Sequence, residues 1–150
     1  MTRRLSPAGT AFIKSFEQLR LTAYLPTPND VWSIGYGHTH GVQMGDTCTL
    51  EQADAWFLQD VAWAENAVDA HAPRGITQNA FDALVSLAFN IGATNFDAST
   101  LLKDLGAGQD AQAADEFLRW DRQRGQVLPG LERRREAERA MFDTPSPAAV

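Results

Sequence analysis

Phe81, Leu84, Val85 and Ala88 recur at the i, i+3, i+4 and i+7 positions of one helical face, with Thr77 ahead of them and Gly92 behind. A hydroxyl placed to cap the first turn and a glycine placed to end the last one predict a helix over this segment, apolar enough to form the core. Phe12, Ile13 and Phe16 make a second stripe behind Ser6-Pro7-Ala8, where serine suits an N-cap and proline the first turn. This first helix is expected to end near Gln18 to Arg20. Thr49-Leu-Glu-Gln52 has the form of a capping box, and Ala55, Trp56, Leu58, Val61, Ala62 and Ala64 behind it predict a long second helix reaching about Val68. Segments 98 to 105, 110 to 120 and 130 to 142 read as three further helices, separated by Gly106-Ala-Gly108 and by Gly125 to Gly130.

Between the first two helices the periodicity changes. Pro26, Pro28, Asn29 and Asp30 form turns, and Val31-Trp-Ser-Ile-Gly-Tyr-Gly-His38 is dense in strand formers and glycine. The whole reads as an α+β chain: one helix, a small β-hairpin lobe over about 23–48, then a larger helical lobe. A single domain is expected over 1–143, with no repeat and no second module. Thr144-Pro-Ser-Pro-Ala-Ala-Val150 is expected to be a frayed, disordered tail.

Composition narrows the class. A chain of 150 residues with 44% apolar content, 4 Trp and 8 Phe buries enough surface to fold without covalent help. It has no alternative, because Cys48 is the only cysteine and no Cys/His cluster has zinc spacing. No metal or other cofactor is therefore expected. The start, Met1-Thr-Arg-Arg-Leu-Ser-Pro7, has no apolar run after its basic residues, so synthesis as a soluble cytoplasmic protein without stable membrane insertion is expected. A net charge of −6 argues against a nucleic-acid partner, although Arg119, Arg122, Arg124, Arg133, Arg134, Arg135 and Arg139 leave a local basic face possible.

Among candidate chemistries, glycoside hydrolysis needs an acid for the leaving oxygen and usually a second carboxylate on the water side. Glu17, at the end of an apolar helix beside Phe16, is placed where partial desolvation suits a proton donor. A lone glutamate at a helix end is more often an ordinary surface residue, so the surrounding residues decide. These are Phe16-Glu-Gln-Leu-Arg-Leu-Thr-Ala-Tyr24, Trp32-Ser-Ile-Gly-Tyr-Gly-His-Thr39, Thr77-Gln-Asn-Ala-Phe-Asp-Ala-Leu-Val-Ser-Leu-Ala-Phe-Asn-Ile-Gly92, Ser99-Thr-Leu-Leu102, Phe117-Leu-Arg-Trp120 and Leu128-Pro-Gly-Leu131. Together they resemble the phage-type lysozymes, the endolysin muramidases of glycoside hydrolase family 24, over residues 5 to 142.

The resemblance implies a lysozyme-like fold of two lobes joined by a long helix, with the glycan cleft between them. It also implies inverting hydrolysis of the β-1,4 bond between N-acetylmuramic acid and N-acetylglucosamine, with Glu17 as general acid. The family pattern of Glu, eight residues, Asp or Cys, five residues, then Thr is broken here. Pro26 stands at the carboxylate position, and six residues rather than five separate it from Ser33, which keeps a hydroxyl at the threonine position. Asp30 is the nearby carboxylate. In one regular strand Asp30 and Ser33 would face opposite sides, about 10 Å apart at ~3.3 Å per residue; a tight turn at Pro28-Asn-Asp30 would remove that objection. Asp30 as water-activating base and Asp30 as a turn residue both remain open.

His38 is read as a structural hydrogen-bonding or salt-bridging group, and Gly35 and Gly37 as hairpin or sugar-approach glycines. The run Arg133-Arg-Arg135 is by default a solvated helix face; by resemblance Arg134 pairs with the catalytic glutamate. Asn90 either lines the cleft, offering an amide to an N-acetyl group, or caps its helix. The resemblance further implies a monomer acting on peptidoglycan strands, released from the host cytoplasm to the periplasm or wall by a holin-like protein. Two rivals stand beside it: a catalytically impaired peptidoglycan-binding module, suggested by Pro26, and a lysozyme-like chitinase.

Overall fold

In the computed structural model, which describes residues 2–150, helix α3 (Gln78–Ile91) buries every residue from Ala80 to Ala88. Thr77 Oγ1 accepts from the Ala80 N–H, and the Gly92 N–H closes the helix on the Ala88 carbonyl at a φ of 91° that favours glycine. Full burial of Phe81, Leu84, Val85 and Leu87, each worth about 1.5–3 kcal/mol, makes this the core of its unit. The chain clusters into two compact units: the residues up to Thr10 together with Trp63–Val150, and Ala11–Ala62. The divisions fall inside α1 (Pro7–Lys14) and α2 (Leu50–His71).

The first unit is helical. Behind α3 come α4 (Ala93–Asp97), α5 (Thr100–Gly106), α6 (Asp110–Glu116), a 3-10 turn at Phe117–Arg119, and α7 (Pro129–Asp143), which packs along α3. The Arg3 guanidinium, 2% exposed, donates to the Asp69 carboxylate and to the Asp69, Ala72 and Pro73 carbonyls, closing the C-terminal end of α2. The hydrogen bond from Arg3 holds the Asp69 carboxyl down at about 2. Ser6 caps α1 by accepting from the Gly9 N–H at 2.9 Å, and donates to the buried carboxylate of Asp82, which Gln78 also holds. A Cβ on Gly9 would lie 2.3 Å from the Asp82 Cγ. Gly9→Ala is therefore expected to destabilise the protein by up to about 2 kcal/mol, since overpacking against a fixed carboxylate, typically about 1–3 kcal/mol, outweighs the ~1 kcal/mol by which alanine favours a helix. A urea midpoint at or above that of the wild type would contradict this.

Several boundaries differ from the sequence reading. Helix α1 stops at Lys14; the N–H groups of Phe16 and Glu17 tighten onto the Ile13 and Lys14 carbonyls, which frees the chain to enter β1 (Arg20–Tyr24) earlier than expected. α2 runs to His71, and the segment 93–97 adds a short helix that seats the fully buried Phe96. The glycine-rich spacer holds a small hairpin, β3 (Arg122–Gln123) and β4 (Gln126–Val127), turned by Arg124 and Gly125 at positive φ. The expected disordered tail is bound. The Gln78 N–H donates to the Pro147 carbonyl at 2.7 Å, the Asn79 N–H to Ser146 Oγ, and the Ala149 N–H to the Ile76 carbonyl. The physical reason is that the first turn of α3 has amides without intrahelical partners, and an extended, proline-set segment supplies their acceptors.

The second unit holds β1 antiparallel to β2 (Ser33–Gly35), with Arg20 opposite Gly35, Tyr24 opposite Ser33 and an irregular register between. On its other edge β1 is held by the Ala23 N–H on the Asp46 carbonyl and the Cys48 N–H on the Leu21 carbonyl. Ile34 and His38 exchange both backbone bonds, so Gly35-Tyr36-Gly37 is a tight loop whose glycines sit at φ 65° and 91°. Among the described residues, no helix is long and apolar enough to cross a membrane.

Candidate active site

Glu17 lies half-buried in the turn after α1, its N–H on the Lys14 carbonyl at 3.0 Å. Its Oε2 is 3.8 Å from where a Cβ on Gly37 would be, so the carboxylate stands against the open Cα of the hairpin loop. His38, at the foot of that loop and buried, is an anchor. Its Nδ1 meets Asp60 Oδ2 at 2.8 Å, and its ring stacks on Trp56 at 4.6 Å with 7° between the planes. Asp60 and Trp56 both belong to α2, so the hairpin is fixed to that helix by one ring.

The Pro26–Ser33 segment is organised around Val31. The exposed Asp30 ends a turn by donating its N–H to the Thr27 carbonyl, and its Oδ1 accepts the Val31 N–H at 2.9 Å. Ser33, 4% exposed, donates Oγ to the Val31 carbonyl at 3.2 Å. Asp30 and Ser33 thus hold the two ends of one residue. β2 starts only at Ser33, so the opposite-face geometry of a regular strand does not apply.

In the helical unit, Arg134 and Arg135 are buried, contrary to the default of a solvated face; Arg133 alone of the three is exposed. Arg134 Nε meets Glu138 Oε2 at 3.2 Å and its Nη2 reaches the Ser86 carbonyl. Arg135 donates Nη2 to Glu138 Oε2 at 3.0 Å and Nη1 to the Trp120 carbonyl. Its Nε approaches Glu138 Oε1 to 2.6 Å as a charge contact outside hydrogen-bond geometry. Burial pushes the Glu138 carboxyl up and the Arg135 guanidinium down, and their mutual attraction opposes both. Glu138 went unread in the sequence, although its i,i+3 and i,i+4 spacing from Arg135 and Arg134 is the usual ion-pair signal.

Asn90, exposed in the last turn of α3, does not cap it. Gly92 and the Asn95 side chain, which donates to the Ile91 carbonyl, close that end. Asn90 instead lines a pocket of about 360 Å³ with Asn95, Trp120, Arg122, Gln123 and Leu131. Amides beside an indole suit a sugar, which offers hydroxyl and acetamido groups around an apolar face. A larger pocket, about 450 Å³ among Arg74, Ile76, Ala80, Leu105, Asp110 and Phe142, contains none of the expected site residues.

The chain matches known proteins. The family model described as phage lysozyme matches residues 14–138, and the chain belongs to the phage lysozyme family. It is a glycoside hydrolase of the muramidase kind with a lysozyme-like α+β fold. The endolysin of Acyrthosiphon pisum secondary endosymbiont phage 1 is 42% identical over 144 residues, covering 93% of this chain and 98% of that protein. The endolysin of Bacillus phage PZA is 41% identical, and this chain spans 58% of its length. Among solved structures, the muramidase domain of SpmX from Asticaccaulis excentricus has a TM-score of 0.88 at 41% identity, covering 95% of this chain and 99% of that one.

Proposed function

We propose that the chain hydrolyses the β-1,4 bond between N-acetylmuramic acid and N-acetylglucosamine with inversion, and so lyses bacterial cells. The observation that carries the residue assignment is the Glu17 carboxylate set against Gly37, where the absence of a side chain lets a sugar ring approach the acid. Glu17 gives its proton to the leaving oxygen while water attacks the anomeric carbon from the other face and gives up a proton on that side. Ser33 and Asp30, held together by Val31, position that water, and Asp30 accepts its proton. Its Oδ1 carries one hydrogen bond, and a carboxylate has about four acceptor sites, so capacity remains. Arg134 is the supporting arginine that the family pattern implies, and Asn90 with Trp120 receives an N-acetyl sugar. Acting as a monomer, the enzyme reaches the wall from the host cytoplasm through a lesion made by a holin-like protein.

Mass spectrometry of products from purified peptidoglycan tests the bond assignment: fragments with muramic acid at the reducing end are expected, and intact glycan bound to the protein would refute it. For the base, Asp30→Ala is expected to lower turnover about 100-fold, the scale of losing general-base catalysis. Near-normal turnover in reducing-end assays would leave Asp30 a turn residue.

A further inference from the structure

The end of α1 carries a cation that the proposed chemistry does not use. Lys14 supplies the carbonyl that holds the Glu17 N–H, and its side chain runs to Asp54 of α2, with Nζ 2.7 Å from Oδ1. On the way the ammonium lies 4.9 Å from the Tyr36 ring centroid and 5.4 Å from that of Phe57. Those two rings meet edge to face at 6.0 Å. Tyr36 is the middle of the Gly35-Tyr36-Gly37 loop against which the Glu17 carboxylate stands. One side chain therefore touches the residue at the tip of the loop and the helix behind it, while its own backbone holds the turn that presents Glu17.

We infer that Lys14 is a positioning residue for the acid: its ammonium, clamped by Asp54 and the faces of Tyr36 and Phe57, fixes the Glu17 turn against Gly37. The Lys14 side chain is 21% exposed and Asp54 44%. Taking an ammonium that far out of water is unfavourable unless it is paired, and an aliphatic side chain would fill the same space without that cost. What the cation adds is direction. A carboxylate attracts along one line and an aromatic face along another, so the side chain, and with it the turn, has one arrangement. Displacing an acid by about 1 Å from its working geometry can cost on the order of 100-fold in rate, which gives such a clamp kinetic weight well beyond its effect on stability.

This inference rests on Glu17 as the acid, and the test separates the two. Lys14→Met keeps the aliphatic bulk and removes the charge; Lys14→Arg keeps a cation able to stack on both rings and reach Asp54. Initial rates on a soluble peptidoglycan oligomer, with fraction folded measured alongside, are compared with those of Glu17→Gln. Lys14→Met is expected to lower kcat about 10-fold or more with KM within about 2-fold, and Lys14→Arg to recover to within about 3-fold of wild type. Wild-type kcat for Lys14→Met overturns the inference. So does a loss that vanishes after correction for unfolded protein, or a Lys14→Arg enzyme as slow as Lys14→Met. Full activity in Glu17→Gln strikes the acid assignment itself, whereas an inactive Glu17→Gln beside a normal Lys14→Met strikes the positioning role alone.

Discussion

Glu17→Gln is expected to slow the clearing of a cell-wall suspension by 10²- to 10⁴-fold, the range of rate that a general acid supplies. The replacement keeps the shape and hydrogen-bonding reach of the side chain and removes only the transferable proton. Because Glu17 is half-buried in a turn rather than in the core, its melting temperature should stay close to wild type. That pairing of lost turnover with retained fold is what distinguishes a reacting group from a structural one. Clearing at the wild-type rate would remove Glu17 from the mechanism whatever the family pattern implies.

The largest stability effect is expected at Glu138. Its side chain and that of Arg135 are fully buried, Arg134 is nearly so, and Ser86 donates to the same carboxylate. Glu138→Ala leaves two buried guanidinium groups without their shared counter-charge, and breaking a buried pair from one side typically costs 3–5 kcal/mol. For a chain of this size that corresponds to a fall in Tm of about 10 °C. The exposed pair of Arg139 with Asp115 provides the contrast, since water screens it and its removal should move stability by less than about 1 kcal/mol. A Glu138→Ala protein melting within about 2 °C of wild type would mean that the arginines find water or other acceptors when the carboxylate is removed.

Elements set by local chemistry are legible in the sequence. Thr77 and Gly92 bound α3 as their types suggest, and the Thr49–Gln52 box forms both of its reciprocal bonds. The turn nature of Asp30 and the anchoring role of His38 were likewise readable, the first from Pro28-Asn29 and the second from an isolated histidine after a glycine-rich hairpin. What failed to show depends on partners distant in the chain. Acceptors at 144, 146 and 147 are met by donors at 78 and 79, and a Pro/Ser/Ala segment gives no sign of them. Arg133-Arg-Arg135 reads by default as a solvated face because a charge run carries no record of the serine and carbonyls around Arg134 and Arg135. Lys14 carries no signal of its own in the sequence, and only the placement of Tyr36, Phe57 and Asp54 gives it a role.

The bound tail has a topological consequence. Arg3 is fastened to the Pro73 carbonyl and Ala149 to that of Ile76, so segments near opposite ends of the sequence converge on the same connection between α2 and α3. That connection is thereby clasped from two sides by hydrogen bonds. A short covalent cross-link between those two segments would follow a path that the fold already takes, so it should hold the α2–α3 connection without distorting it.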